Sequence, residues 1–169
     1  MPDQSTADPV FDTAAAAPLL GVRKGTLEVW RRRGTGRLPA RLRRLVIQRS
    51  GGRCEYCHLA QAGQEATFHI DHITPVASGG QAVAENLALA CVSCSLHKGA
   101  RQTAIDPDTG LEAPLYHPRR DLWSEHFAWK IVRLIGLTAT GRATVNALDL
   151  NRPLILAIRE EEAALGRHP

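Results

Sequence analysis

The chain has 169 residues, 44% hydrophobic and 22% charged, with a formal net charge of +4. That length suits one compact domain with tails, and an aromatic share of only 5% leaves the core to small aliphatic side chains. No apolar run approaches the roughly eighteen residues that cross a bilayer, and residues 1–20 hold Asp3, Asp8 and Asp12 without a Lys or Arg, so neither a membrane span nor a secretory leader is expected.

Residues 1–20 are rich in Ala, Pro, Asp and Thr without helical or strand period, and read as a flexible tail. Residues 21–40 are a basic lead-in that includes Arg31-Arg32-Arg33. From Arg23 to Arg53 there are eleven Lys/Arg against one acid, Glu28. Such a run is either a phosphate-facing surface or a solvated basic helix face. From Pro39 to Ser50 the pattern predicts a helix. Leu42, Leu45, Val46 and Arg49 recur at i, i+3, i+4 and i+7, while Arg41, Arg43 and Arg44 take other faces. Pro39 suits a first turn, and Gly51-Gly52 stops the helix.

Residues 66–72 alternate and carry aromatic and β-branched side chains, which predicts a short strand ended by Pro75. Residues 74–86, with Ser78-Gly79-Gly80, form a long turn, and Leu87 to Cys91 a second strand. A helix is expected from Ser95 to about Gln102, which completes a β-β-α unit. Asp106-Pro107-Asp108-Thr109-Gly110 is a turn signal. Trp123 to Leu137 is the most apolar stretch and is expected to hold a core strand. Two helices follow, from about Gly141 to Leu150 and from an Asn151 cap to about Leu165. Glu160-Glu161-Glu162 reads as a solvated face. The class is α+β: a core over 41–104 with a C-terminal extension over 105–169 packing on it.

All four cysteines lie in C-x-x-C pairs, Cys54/Cys57 and Cys91/Cys94, with 33 residues between the pairs. Each pair can aim two sulfurs at one ion, so the set fits a tetrahedral zinc site. Four thiolates leave no open position, which makes such a site structural. A redox C-x-x-C would want a βαβ context, absent here, and a disulfide framework suits small secreted chains. A reducing, cytoplasmic setting is therefore expected.

Between the pairs stand His69, Asp71 and His72. A carboxylate supplies an oxygen ligand for Mg2+ or Mn2+, and an imidazole of ordinary pKa about 6.5 takes a proton from water near neutral pH. The alternative for the histidines is a half-buried strand position with satisfied hydrogen bonds. Strict alternation sends Asp71 and His72 to opposite faces, so convergence on one phosphate requires a twist or bulge near Pro75. His69 shares the Asp71 face and is either a phosphate contact or structural.

Cys54-x-x-Cys57, Asp71-His72-Ile73-Thr74-Pro75, Gly79-Gly80, Asn86-Leu87 and Cys91-x-x-Cys94-Ser95-x-x-Lys98-Gly99 together resemble the HNH endonucleases of bacterial type with a four-cysteine zinc site. The resemblance covers about residues 41–104. Trp123-Ser124-Glu125-His126-Phe127 looks like bacterial relatives but is less specific. The resemblance implies a zinc-clamped ββα-metal finger, with Asp71 on the catalytic ion, His72 as general base and Asn86 holding the long turn and orienting His72. It places Lys98 near the phosphate, the other possibility being a solvated lysine. The family pattern has Asn or His after the fourth cysteine as second metal ligand; this chain has Ser95, a shorter and weaker one. His97 is about 200° around the helix from Ser95 and does not substitute, whereas Lys98 shares the Ser95 face.

The expected function is hydrolysis of DNA phosphodiester bonds with one divalent ion, held by Asp71 and Ser95, and no small-molecule cofactor or membrane partner. Arg41, Arg43, Arg44, His69, Lys98 and Arg101 are the expected nucleic-acid contacts. The Ser95 departure keeps a second reading open: a zinc-stabilised nucleic-acid-binding module that has lost cleavage. A structural zinc protein without nucleic acid would show no salt-dependent DNA binding.

Overall fold

The computed structural model describes residues 38–168; the tail read at 1–20 and the lead-in at 21–37 lie outside the described residues. Helix α1 spans Ala40–Arg49 after Pro39. Its buried stripe is narrower than the periodicity suggests: Val46 is fully buried, whereas Leu45 is 45% exposed. Arg49 reaches across instead, donating to the carbonyls of Ala84 (2.7 Å) and Leu87.

Strands β1 (His69–His72) and β2 (Leu87–Ala90) pair antiparallel, with His69 opposite Ala90 and His72 opposite Leu87. The first strand is shorter than the alternation over 66–72 suggests, because Gln61 satisfies the preceding backbone. Its amide donates to the Ala66 carbonyl (3.0 Å) and its oxygen accepts from Phe68 N–H. Every residue of β2 is buried. On the side of β2 away from β1, Glu55 pairs with both main-chain groups of Leu89: its N–H donates to the carbonyl (2.8 Å) and its carboxylate accepts from the N–H (2.9 Å). Two short 3-10 turns, Val76–Ser78 and Ala84–Asn86, fill the connection.

Helix α2 spans Val92–Lys98, earlier than the expected 95–102. Cys91 starts it by accepting the Cys94 N–H at its sulfur (3.4 Å), and Gly99, at φ +51°, stops it. The helix lies against both strands.

The extension begins with a hairpin, β3 (Thr103–Ile105) and β4 (Glu112–Pro114), around the turn at 106–110. Asp106 is fully buried there. Its carboxylate accepts two bonds from Arg142 (2.8 and 2.6 Å) and one from Thr109 (2.9 Å). The apolar stretch at 123–137 holds strand as expected, but as a hairpin of β5 (Phe127–Lys130) and β6 (Arg133–Gly136) after a single helical turn, α3 (Trp123–His126). Ile131 turns this hairpin at φ +56° and is 88% exposed. Helix α4 (Ala139–Ala147) is capped by Thr138, whose hydroxyl accepts the Gly141 N–H (3.1 Å).

Helix α5 spans Pro153–Ala164. Asn151 does not cap it. Its amide instead pairs with both main-chain groups of Leu134 (2.9 and 2.8 Å), acting as one rung of a strand. Nor is the acidic run one solvated face: Glu160 and Glu161 are exposed, but Glu162 is buried and takes two bonds from Arg167 (2.9 Å each).

The extension packs on the first cysteine pair through aromatic rings. Trp123 stacks on His58 with centroids 4.1 Å apart and donates its indole N–H to the Tyr56 carbonyl (3.2 Å). Tyr116 meets Tyr56 and Phe127 edge to face. The architecture of the described residues is α+β: helices and three two-stranded antiparallel sheets, with a four-cysteine cluster. No helix among the described residues is long and apolar enough to cross a membrane.

Candidate metal centre and active site

The two C-x-x-C pairs meet. The sulfurs of Cys54, Cys57, Cys91 and Cys94 lie within 4.8 Å of one another, all four residues are buried, and Cys57 and Cys91 sulfurs are 3.8 Å apart. A tetrahedron with zinc–sulfur arms of about 2.3 Å has edges of about 3.8 Å, so the spacing fits that ion. The first pair is shaped by a tight loop: His58 N–H donates to the Cys54 carbonyl (2.9 Å), Cys54 N–H to the Leu59 carbonyl (2.9 Å), and His58 takes φ +57°. Burial raises the Cys54 thiol well above its ordinary range, whereas contact with Cys54 and the other sulfurs lowers Cys57. Four such sulfurs ionise together only around a cation.

A second observation supports metal there. Arg159 of α5 is fully buried, with its guanidinium 4.9 Å from the Trp129 ring. One nitrogen donates to the carbonyls of Val132 (3.1 Å) and Leu150 (2.9 Å). Nε and Nη2 have no hydrogen-bond partner among the described residues. Negative charge on the cysteine sulfurs, Cys57 first, favours this guanidinium against its burial. A tetrathiolate zinc centre carries net negative charge, and such a buried cation offsets it. Sequence reading missed Arg159. The available signal was its spacing: Ile155, Arg159 and Glu162 share one face at i, i+4 and i+7, and all three are buried.

Asp71 and His72 sit at the end of β1, and the register runs through them without a bulge. The pleat alone therefore keeps them on opposite faces. What joins them is Lys98. It is 2% exposed, so it is not a solvated lysine, and its ammonium donates to the His72 carbonyl (2.9 Å). Its charge reaches both side chains. Burial pushes Asp71 up to about 6 even though Lys98 and the His72 N–H favour the carboxylate. Burial and then Lys98 lower the His72 imidazole, which keeps it neutral at pH 7. Asp71 Oδ2 is buried without a hydrogen-bond partner among the described residues. Ser95 lies one turn before Lys98 on α2, half-buried.

The strain on Asp71 yields an expected result. A carboxyl with a raised folded-state pKa destabilises the fold above that pKa, and the penalty fades as pH falls toward the ordinary value. Asp71→Asn is therefore expected to raise stability at pH 8 by about 1–3 kcal/mol, with zinc retained and no other divalent ion added. The gain should vanish near pH 4. Melting curves at both pH values check it, and equal melting temperatures at pH 8 would contradict the burial argument.

Asn86 holds the turn that follows. Its amide oxygen accepts the Thr74 N–H (2.8 Å), and its amide nitrogen donates to the carbonyls of Thr74 (3.0 Å) and Gln81 (2.9 Å). Gly80 belongs to the same clamp: a Cβ there would lie 1.9 Å from the Thr74 carbonyl oxygen. Two residues beyond His72, the backbone is thus held from both sides.

The expected nucleic-acid contacts divide. Arg41, Arg43 and Arg44 are exposed on α1, and Arg43 is the charged neighbour of the exposed His69. Arg101 is partly engaged in structure: one guanidinium nitrogen donates to the carbonyls of His97 and Ala147 (3.1 Å each), tying α2 to α4. Residues 54–101 match a family model described as HNH endonuclease. No curated protein and no solved structure matches the chain.

Proposed function

We propose, from the HNH endonuclease match over residues 54–101, that this chain hydrolyses phosphodiester bonds in DNA with one divalent ion beside a structural zinc. The observation that carries the reading is the buried Asp71 carboxylate oxygen without a hydrogen-bond partner among the described residues, next in sequence to a neutral histidine. A carboxylate of that kind is stabilised by a cation, and hard divalent ions take oxygen ligands. We read β1, β2 and α2 as the ββα finger of this family, clamped by zinc at Cys54, Cys57, Cys91 and Cys94.

Asp71, helped by Ser95, would hold Mg2+ or Mn2+, which when bound polarises the scissile phosphate and stabilises the leaving oxygen. His72 takes the proton from the attacking water, a role its neutral form permits at pH 7. Asn86 keeps the turn after His72 in place, and so orients the strand end that bears it. Lys98 holds the His72 carbonyl from the other side and adds positive charge beside Asp71. Arg41, Arg43, Arg44, His69 and the free part of Arg101 contact phosphates, which position DNA without reading its sequence. The products would carry a 5′-phosphate and a 3′-hydroxyl.

Ser95, where the family pattern has Asn or His, favours the second reading, a nucleic-acid-binding module without cleavage. Plasmid nicking in Mg2+ or Mn2+ separates the two. Wild type should nick, and Ser95→Asn should lower the Mg2+ concentration for half-maximal rate by roughly tenfold, about 1.4 kcal/mol for one better ligand. DNA that binds yet stays intact with both proteins supports the binding module.

A further inference from the structure

A cleft of about 500 Å3 opens beside the turn that follows His72, lined by Arg49, Thr74, Glu85, His117, Arg119 and Arg120. Four separate segments build it: the end of α1, the residue two past His72, Glu85 of the second 3-10 turn, and the loop before α3. Cations outnumber anions in it. Glu55, which pairs with Arg119 and lies 3.8 Å from Arg49, is already bonded to the Leu89 N–H. Glu55 thus serves two guanidiniums, and Glu85, the carboxylate of the lining, adds its charge beside Arg49, which leaves two carboxylates against three arginines. Burial and then the charge of Arg49 push Arg119 down to about 10, and Arg119 Nε is buried without a hydrogen-bond partner among the described residues.

His117 adds a donor of fixed orientation. Its own N–H donates to Asp121 (2.7 Å), and its ring Nδ1 accepts the Arg119 N–H (3.2 Å). With Nδ1 occupied as acceptor, the neutral ring carries its proton on Nε2. His117 also lies within reach of the charge of Lys98, the lysine that holds the His72 carbonyl. The cleft is therefore next to the residues assigned to catalysis, and its spare donors are cationic or N–H.

We infer that this cleft is a phosphate subsite for the nucleic-acid backbone: Arg119, Arg120 and His117, supported by Arg49, take a phosphate adjacent to the one held at Asp71 and His72. The inference rests on the endonuclease reading for the position of the scissile phosphate. Its test is a binding measurement that needs no cleavage. Guanidinium donors match phosphate geometry in pairs, and each phosphate neutralised steepens the salt dependence of binding.

The experiment uses the zinc-loaded full chain carrying His72→Ala, so that DNA stays intact, and a fluorescent duplex of random sequence. Arg119→Gln and Arg120→Gln are compared with Arg133→Gln, an exposed arginine on β6. Each cleft variant should reduce the slope of log binding constant against log salt by about 1, while Arg133→Gln leaves it unchanged. Where Arg119→Gln melts early because Glu55 loses its partner, the exposed Arg120 decides alone. Unchanged slopes in folded cleft variants overturn the inference, even if wild type nicks plasmid. Reduced slopes uphold the subsite even if wild type never nicks, which would sink only the endonuclease reading. Inorganic phosphate at matched ionic strength is the second arm. If it binds wild type and not Arg120→Gln, while duplex slopes are unaltered, the cleft is a free-anion site and the inference fails.

Discussion

Cys94→Ser is expected to leave the chain unable to hold its fold, with zinc content falling from one ion per chain to a small fraction. A strong chelator acting on the wild type should do the same. The size of the effect follows from comparison of two energies. Structural zinc binding contributes apparent free energies of about 10–16 kcal/mol in zinc-finger peptides, and whole domains are stable by only about 5–15 kcal/mol. An ion held by these four cysteines would have more to organise than one in a small finger. Cys54 and Cys57 carry Tyr56 and His58, against which Tyr116 and Trp123 of the extension pack. Cys91 follows the buried strand β2 and caps the start of α2. Arg159 brings α5 against the sulfurs, and without thiolates its burial would lack its main compensation. The loss should therefore reach both the core and the extension in one cooperative transition. Elemental analysis and melting followed by circular dichroism measure it. A zinc-free protein that melts at the wild-type temperature would remove zinc from the account of this fold.

His72→Ala carries the second large effect: a fall in divalent-dependent nicking of about 10²–10⁴, the usual worth of a general base. The imidazole is suited to that role because burial and Lys98 keep it unprotonated at pH 7. The rate should be level from pH 7 to 8 and fall on the acid side, below the ordinary histidine pKa, as His72 takes up a proton. Zinc content and melting temperature should stay near wild type, since the buried support of β1 comes from Phe68, Ile73 and the β2 residues rather than from His72. Nicking by His72→Ala at the wild-type rate would show that another group, or none, activates the water. A fall in melting temperature as large as that of Cys94→Ser would show that His72 serves the fold.

Much of the site was legible because its chemistry is written in short spacings. Two C-x-x-C pairs define four ligands without knowledge of what lies between, since each pair needs only a local loop to aim its sulfurs. The Asp71-His72-Ile73-Thr74-Pro75 run locates strand end, carboxylate and imidazole together. Asn86 was placed in the long turn from the sequence, and its amide clamps Thr74 and Gln81 there. Helix α1 was readable from apolar period and the Gly51-Gly52 stop.

What the sequence alone determined about this protein, then, is its list of chemical parts and the local loops that present them: the thiols, the acid–imidazole pair, the clamp and the α1 helix. Only the tertiary structure decided which charged side chains turn inward, because that depends on partners far away in sequence. Lys98 is buried because the His72 carbonyl, 26 residues away, accepts a hydrogen bond from its ammonium. Arg49, Arg119 and Glu55 share one cluster drawn from three segments. Asn151 leaves its helix to pair with Leu134, 17 residues back, and Arg159 turns its guanidinium to the sulfurs. A burial site for a charge exists only once the elements that surround it have packed, and no periodicity within one element can announce it.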